Sequence, residues 1–435
     1  MKVGIIGAGT MGLSLAYRLS NAGQNVTVFE AAPQVGGLGT WFDYGEFLWD
    51  KYYHVILQQD SHLLGLIQEL GIDSKLNWVE TKTGFLCDGK HISLSNSWEF
   101  LRFPLLNLFE KARLAAGILY VQRLRKPPRL ERIKVGDWMA RVFGARVYQT
   151  IWEPLLRSKY GALTDQMPAT IMWATIRRYY STRSKGGGKE RMGFLAEGFR
   201  SLYDGLVSAV TKQGAEVHCS TSVEAVEDLG VSTVRVHTSR GRFEFDRLIS
   251  TVPTRSLQRI VGHADDLFEG ISDGPVFLGV VCLAVVLRRR LNGYYVTNLI
   301  QRGFPFTGII GVSNLAGTDR FNGLHFVMLP RYEVCDSPWF QESPQQITKE
   351  FIGALKTVWP DIEENLVSWH LSREPLVQAL WIASPPPVQE PTRSRTGRLW
   401  SINAEIAGRD TLNNNAIIKV ANDAATKFLN SSRTS

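Results

Sequence analysis

The sequence predicts an α/β fold built from two domains. An apolar run at residues 2–6 leads into a glycine-rich turn and a helix-like stretch, and a second apolar run follows at residues 25–29. This order is typical of a strand, a helix and a parallel strand in an α/β sheet. The chain has 435 residues, of which 44% are hydrophobic, and this length exceeds what one ordinary core accommodates.

The glycine-rich turn indicates a Rossmann-like site for an adenine dinucleotide. Gly7 permits the tight turn, Gly9 lets the backbone approach a pyrophosphate, and Gly12 lets the helix pack closely against the strand. The phosphates are expected at the N-terminus of the helix, where free N–H groups and the helix dipole favour anions. Glu30 ends the second run, at the spacing expected for an acid that binds the ribose. The site residues predicted from this unit are Gly7, Gly9, Thr10, Met11, Gly12 and Glu30.

A pair of glycines follows this acid in the stretch APQVGGLGTWF, residues 32–42. Nicotinamide enzymes also carry the first glycines and the acid. The pair after the acid resembles the flavin-binding signature of the amine oxidase, protoporphyrinogen oxidase and phytoene desaturase superfamily. The resemblance implies FAD as the cofactor, with Gly36, Gly37 and Leu38 close to the flavin and its pyrophosphate. The alternative is that the pair forms a loop turn and nothing more.

The resemblance also implies that the FAD domain is discontinuous and reappears later in the chain. Residues 214–227 and 233–253 alternate as strands do and end in Thr251-Val252-Pro253, as the family's second FAD segment does. In that segment Thr251 and the backbone of Val223, at the adenine end, would contact the cofactor.

Residues 399–429 resemble the closing FAD segment, with Asn415 and Ala416 at the start of a helix whose N-terminus faces the flavin. Most family members carry Gly-Asp after the preceding strand, where this chain reads Asn403-Ala404-Glu405. We expect Asn403 to bind the ribityl or pyrophosphate region instead. Glu405 and Asp410 are alternatives for the missing acid.

Insertions between these segments are expected to build an α+β substrate domain with a mixed sheet and helices. The predicted FAD-binding domain comprises residues 1–49, 191–265 and 385–435, and the predicted substrate domain comprises residues 50–190 and 266–384. The apolar stretch Pro275–Leu287 is too short to span a bilayer as a helix and indicates a buried strand. Further strands are expected within residues 294–300, 306–315 and 324–330, and a helix from Ser343 to Pro360.

One candidate catalytic residue, His54, lies in the stretch FDYGEFLWDKYYHVI, residues 42–56. By resemblance this stretch passes the flavin, so His54 is a candidate proton carrier. The alternative is a histidine hydrogen-bonded in a packed wall. The four cysteines have no CxxC spacing, which predicts no metal site and a reducing compartment. The first strand begins almost at residue 1, so we expect no signal peptide and a cytoplasmic location.

The chain has a net charge of +8, and its basic residues are concentrated in two segments. Arg102–Arg132 contains eight basic and two acidic residues around an apolar centre, Leu114–Val121, and Arg177–Arg191 contains six and one. The first segment predicts a helix that lies on an anionic membrane surface. The protein would then be a peripheral protein at the inner face of the membrane. The alternative is a buried helix with solvated ends. No nucleic-acid motif accompanies the charge, so we expect no nucleic-acid partner.

These features predict an FAD-dependent oxidoreductase that transfers hydride from a C–H bond of a small molecule to flavin N5. A lipophilic or isoprenoid-like substrate suits the membrane segment. The alternative is a non-redox enzyme that resembles UDP-galactopyranose mutase and uses reduced flavin on a nucleotide sugar. That alternative requires paired arginines facing the flavin, from Arg177-Arg178 or Arg288–Arg290. A flavin-containing binding protein without turnover is a third alternative.

Overall fold

The computed structural model describes residues 1–125, 128–180, 190–229, 233–261, 275–301, 303–382, 390–407 and 413–431. The strands, in chain order, are Lys2–Ile6 (β1), Asn25–Phe29 (β2), Trp41–Asp43 (β3), Leu48–Asp50 (β4), Leu76–Glu80 (β5), Thr83–Cys87 (β6), Lys90–Ser93 (β7), Arg191–Phe199 (β8), Glu216–His218 (β9), Val223–Asp228 (β10), Val234–Thr238 (β11), Gly241–Phe245 (β12), Arg247–Ser250 (β13), Val276–Leu287 (β14), Val296–Leu299 (β15), Gly308–Gly311 (β16), His325–Val334 (β17), Leu366–Leu380 (β18), Thr392–Arg393 (β19) and Leu399–Ser401 (β20). The α-helices are Thr10–Asn21 (α1), Ser61–Glu69 (α2), Ser97–Arg102 (α3), Leu108–Arg123 (α4), Val135–Phe143 (α5), Ala145–Val147 (α6), Glu153–Tyr160 (α7), Ala169–Tyr180 (α8), Arg200–Lys212 (α9), Thr254–Val261 (α10), Val312–Ala316 (α11), Pro344–Lys356 (α12), Ile362–Asn365 (α13) and Asn414–Ser431 (α14).

The nucleotide-binding layer is a six-stranded sheet in the order β19-β20-β13-β1-β2-β9. Its strands are parallel except for the β19–β20 pair at the edge. Helix α1 connects β1 to β2 and packs on α9 and α14, so Leu13 and Leu15 of α1 are completely buried. This arrangement confirms the predicted Rossmann-like fold and brings together segments that are far apart in the sequence.

The second layer is a seven-stranded mixed sheet in the order β18-β14-β17-β16-β15-β6-β7. Strand β14, second in this order, covers the predicted apolar stretch and is buried from Phe277 onward. Strands β17 and β18 pair with its two edges, and its side chains enter the cores on the two faces of the sheet. The expected strand at residues 306–315 is only partly right. Strand β16 ends at Gly311, and the next five residues form helix α11. The predicted helix after Ser343 is confirmed as α12, although it ends at Lys356 and not at Pro360. The Ser343 side chain accepts a hydrogen bond from Gln346 N.

The helices α3 to α8 pack around a separate core that includes Trp138, Phe143 and Trp173. The interpretation of Leu114–Val121 as a membrane-inserted stretch is wrong for its two ends. Leu114 and Val121 are only 5% and 0% exposed because they face this core. No helix among the described residues has the length and apolar character needed to cross a membrane. Most of the second basic segment, residues 181–189, lies outside the described residues.

Candidate functional site

A cavity of about 480 Å³ is lined by residues from both sheets and from the helices beside them. This volume lies within the range of small-molecule sites, roughly 300 to 1,000 Å³. The nucleotide-binding layer contributes Gly7, Gly9, Thr10, Met11, Glu30, Gly36, Gly37, Leu38, Thr251 and Glu405, among others. The rest of the lining includes Tyr52, Tyr53, His54, Lys159, Tyr160, Arg178, Cys282 and Tyr332.

The three glycines of the first turn differ in what a side chain would meet at each position. Gly7 has a φ of +97°, and a Cβ there would lie 2.6 Å from Thr251 Oγ1. A Cβ on Gly12 would lie 1.9 Å from the carbonyl oxygen of Gly7, so helix α1 could not pack on the loop. At Gly9 the nearest atoms are Gly37 Cα at 3.8 Å and Gly36 O at 4.0 Å, which is ordinary contact. The protein itself therefore does not require glycine at position 9, and the missing side chain leaves room in the cavity for a ligand.

The glycine pair forms a turn that rests on the first loop. Gly36 and Gly37 both have positive φ values, +116° and +55°, which glycine adopts at little cost. The Gly36 amide donates to Ala8 O at 2.9 Å, and a Cβ on Gly37 would lie 3.2 Å from Gly9 Cα. The pair is therefore part of the cavity wall and lies directly beside Gly9.

Glu30 and the N-terminus of α1 supply the polar groups of this wall. Glu30 Oε2 accepts from Ala8 N at 2.8 Å and Oε1 accepts from Ala32 N at 2.9 Å, which leaves lone pairs on both oxygens for ribose hydroxyls. Helix α1 begins after Gly9, which offers no side-chain cap, so its first N–H groups are available to a phosphate. Thr10 Oγ1 contacts Asn414 Oδ1 at 2.9 Å and Tyr203 OH at 2.8 Å, which ties α1 to α14 and α9. These residues fit a bound dinucleotide.

Five predicted cofactor residues do not line the cavity, and Gly12, which packs against Gly7, is one of them. The Asn403 side chain donates to Val252 O and Thr254 Oγ1, both at 3.2 Å, and accepts from Glu405 N. The Asn415 side chain accepts from His62 N and Leu63 N and caps helix α2. The remaining two are Val223, at the start of β10, and Ala416, which is buried in α14. The side chains of Asn403 and Asn415 thus contact other parts of the protein, and their roles at the cofactor stay predictions.

Glu405 is the acid that reaches the cavity in the closing segment. Its carboxylate accepts from Thr254 N and Thr254 Oγ1, each at 2.7 Å. Burial raises the pKa of Glu405, and the hydrogen bonds from Thr254 offset part of this rise. The other expected alternative, Asp410, lies outside the described residues.

His54 lines the cavity, as expected for a candidate proton carrier. Its Nδ1 lies 3.7 Å from Asp50 Oδ2, and its ring centroid lies 5.0 Å from that of Phe199. Asp50 is buried and also accepts from Phe199 N at 2.8 Å. Burial raises the pKa of the Asp50 carboxyl, and His54 and Phe199 lower it in part. Asp50 therefore places a buried carboxyl group beside the imidazole.

A lysine among tyrosines is a feature that the sequence did not reveal. Lys159 Nζ lies 5.4 Å from the ring centroid of Tyr160 and 5.2 Å from that of Tyr332. The hydroxyl groups of Tyr332 and Tyr53 form a hydrogen bond of 2.7 Å. Helix α7 supplies Lys159 and strand β17 supplies Tyr332, and no motif marks either position. Only long-range packing brings these residues together.

The arginine pairs expected for the nucleotide-sugar alternative are not formed. Arg178 lines the cavity, but Asp60 binds its guanidinium in a bidentate ion pair at 2.6 and 3.1 Å. Arg177 instead lies over the Trp173 ring and donates to Leu124 O. The residues Arg288 to Arg290 are exposed and do not line the cavity.

Comparison with known proteins places these features in a family. Residues 12–374 match the family model described as flavin containing amine oxidoreductase. The chain is 22% identical over 412 residues to 15-cis-phytoene desaturase of Glycine max, with 86% of this chain and 70% of that protein covered. Other curated relatives, protoporphyrinogen oxidases and a zeta-carotene desaturase, are matched over only 34% to 43% of their own lengths.

Solved structures show the same fold at low sequence identity. An oxidoreductase from Methanosarcina mazei has a TM-score of 0.69 and 17% identity, with 99% of this chain and 100% of that chain covered. Reduced UDP-galactopyranose mutase has a TM-score of 0.71 and 18% identity, with 99% and 95% covered.

Proposed function

Because the chain belongs to the family of flavin-containing amine oxidoreductases, we propose that it dehydrogenates a small molecule by hydride transfer from a substrate C–H bond. FAD is the cofactor, and bound FAD supplies the hydride acceptor at flavin N5. The observation that carries the proposal is the cavity, in which the dinucleotide-binding loop and an aromatic, apolar compartment line one continuous space. A substrate held there would lie next to the cofactor and away from water.

Each part of the cavity has a distinct task in this proposal. The loop at Gly9 and the N-terminus of α1 would hold the pyrophosphate, and Glu30 would accept hydrogen bonds from the ribose. Dehydrogenation removes a hydride and a proton, so a base must take the proton. His54 is the proposed base, because it lines the cavity and has the Asp50 carboxyl group 3.7 Å from its Nδ1.

The lining of the aromatic, apolar compartment of the cavity favours a lipophilic substrate. Apolar side chains from several elements meet there, including Leu57, Ile171, Phe277, Val280 and Leu380. Such a surface binds hydrocarbon and excludes water. The names of the matched relatives, phytoene desaturase and zeta-carotene desaturase, support an isoprenoid-like substrate.

The competing function is the rearrangement of a nucleotide sugar by reduced flavin. The likeness of the fold to UDP-galactopyranose mutase supports it. The charges in the cavity oppose it, because Arg178 is already neutralised by Asp60 and the Arg288 to Arg290 run is exposed. A nucleotide diphosphate would therefore lack paired arginines among the described residues.

We also propose that the chain binds an anionic membrane surface, through a patch that differs from the stretch expected from sequence. The patch comprises the exposed apolar side chains of α3 and α4, which are Trp98, Leu101, Leu108, Phe109, Leu119 and Tyr120. Leu108 and Phe109 are each 75% exposed, which is unusual for side chains of this size. The exposed arginines Arg102, Arg113 and Arg123 lie on the same two helices and would complement anionic lipid.

The patch is connected to the cavity through one helix. Helix α4 packs on α8, and α8 contributes Ile171, Thr175 and Arg178 to the cavity lining. Trp173 of α8 donates its indole N–H to Leu124 O, just after α4, at 3.1 Å. A lipophilic substrate dissolved in the bilayer would thus lie close to the helix that borders the site.

Anaerobic mixing tests the proposed reaction. We expect a lipid extract to bleach the absorbance of oxidised FAD in the purified protein, and nucleotide sugars to leave it unchanged. If no lipid fraction reduces the flavin while dithionite-reduced protein converts a nucleotide sugar, the proposal is wrong and the competing function is correct.

A further inference from the structure

The charge of Lys159 has no acidic partner in the cavity that it faces. Its ammonium group lies beside the rings of Tyr160 and Tyr332, and the side chain is half-buried. Within the described ranges no carboxylate lies at ion-pair distance from Lys159 Nζ. A cation in such a place is costly unless an anion or several hydrogen bonds compensate it.

The other charged groups along the cavity are already engaged. Arg178 is paired with Asp60, and His54 lies next to Asp50. The Glu30 carboxylate is held by Ala8 N and Ala32 N, and that of Glu405 by Thr254. Among the described residues of the lining, Lys159 is therefore the cation without a carboxylate partner, and an anionic ligand would supply one.

The tyrosines beside Lys159 supply hydrogen-bond donors for such a ligand. In the hydroxyl pair of Tyr53 and Tyr332 one O–H donates to the other oxygen, and the second O–H can then donate elsewhere. Burial raises the pKa values of both tyrosines, so both keep their protons at neutral pH. An ammonium group and a tyrosine O–H together suit a carboxylate, which accepts hydrogen bonds on two oxygens.

We propose that Lys159, with the Tyr53–Tyr332 pair, forms a subsite for a carboxylate at one end of an otherwise apolar substrate. The inference rests on the proposed function only in taking the cavity as the substrate site. The apolar side chains of the same compartment, such as Phe277 and Leu380, hold the hydrocarbon part. The substrate class is then an amphiphilic carboxylic acid rather than a pure hydrocarbon.

Calorimetric titration of oxidised, FAD-loaded protein with decanoate, decyl phosphate and decanol tests the subsite without turnover. We expect wild-type protein to bind decanoate about tenfold or more tightly than decanol, since a charge-assisted hydrogen bond contributes a factor of this size. Lys159→Met should remove the preference for decanoate and leave decanol binding unchanged, whereas Lys159→Arg should keep most of it. Lys356→Met is the matched control, because Lys356 is exposed and paired with Glu363.

Several results would overturn the subsite. They are equal binding of decanoate and decanol by the wild type, an unchanged preference in Lys159→Met, and loss of FAD from that variant, which would place Lys159 against the cofactor. Stronger binding of decyl phosphate than of decanoate would assign the site to phosphate instead. Failure of the proposed function is seen separately, as absence of flavin reduction in a protein that still selects decanoate.

Discussion

Gly9, just before helix α1, and Gly12, within its first turn, differ in whether the protein has room for a side chain. Gly12→Ala would place a methyl group 1.9 Å from Gly7 O, so we expect the apoprotein to lose about 1 to 3 kcal/mol of unfolding free energy or more. Gly9→Ala meets only ordinary contacts within the protein. It should leave the melting temperature of the apoprotein unchanged and weaken FAD binding about tenfold or more. Normal FAD affinity in Gly9→Ala would show that no ligand approaches this backbone.

A substitution of His54 should slow the reaction and should not change FAD binding. We expect His54→Gln to slow the reduction of the flavin by substrate about 100-fold, because a positioned base contributes at least this factor, while FAD content is retained. His91→Gln is the control, since the His91 ring packs on Tyr294 and Trp359 and does not line the cavity. Stopped-flow measurement under anaerobic conditions gives both rates. Equal rates for the two variants would show that His54 only packs in the cavity wall and does not act as the base.

At the scale of residues, local patterns predicted the cofactor loop better than the substrate compartment. Gly7, Gly12 and Glu30 act within one strand–helix–strand unit, so their spacing carries the information. The contacts of Asn403 could not be predicted from local spacing, because its amide donates to Val252 and Thr254, which lie far away in the sequence. Lys159 could not be found at all, because its environment depends on strand β17.

At the scale of elements, helix α4 shows that composition alone does not determine which side of a helix is buried. Its apolar residues point in nearly every direction, so the sequence alone could not tell which side meets the core. The structure buries Leu114 and Val121 and exposes Leu108 and Phe109 at the N-terminal end. Strand β14 was easier to predict, because both of its faces and both of its edges are buried and its sequence is apolar throughout.

The patch on α3 and α4 predicts how the chain binds vesicles. Replacing Leu108 and Phe109 by Asp should abolish sedimentation with anionic vesicles and leave FAD content intact, because both side chains are exposed. Wild-type binding should weaken at high salt, since charges on the surface are screened over about 10 Å at 0.1 M salt.

Leu114→Asp provides the contrasting control for this experiment. Leu114 is buried, so the substitution should destabilise the protein and lower its melting temperature. Unchanged vesicle binding in the Leu108 and Phe109 double variant, or equal binding to neutral and anionic vesicles, would contradict the assignment of this surface.

At the scale of the whole molecule, FAD is expected to be held by non-covalent contacts from both ends of the chain. Gly9 and Glu30 come from the first segment, and Glu405 comes from the last. Cys282 also lines the cavity, but burial raises the pKa of its thiol to about 12, so little thiolate is present at neutral pH. Heat denaturation should therefore release all flavin into the supernatant. Flavin that remains with the precipitated chain would show a covalent bond.

The central claim is that the chain removes two hydrogens from its substrate and passes a hydride to FAD. A single anaerobic turnover followed by mass spectrometry tests it most directly. We predict that each substrate molecule consumed reduces one flavin and yields a product lighter by two hydrogen atoms. A product of unchanged mass, formed only by reduced protein with the flavin still reduced at the end, would contradict the claim.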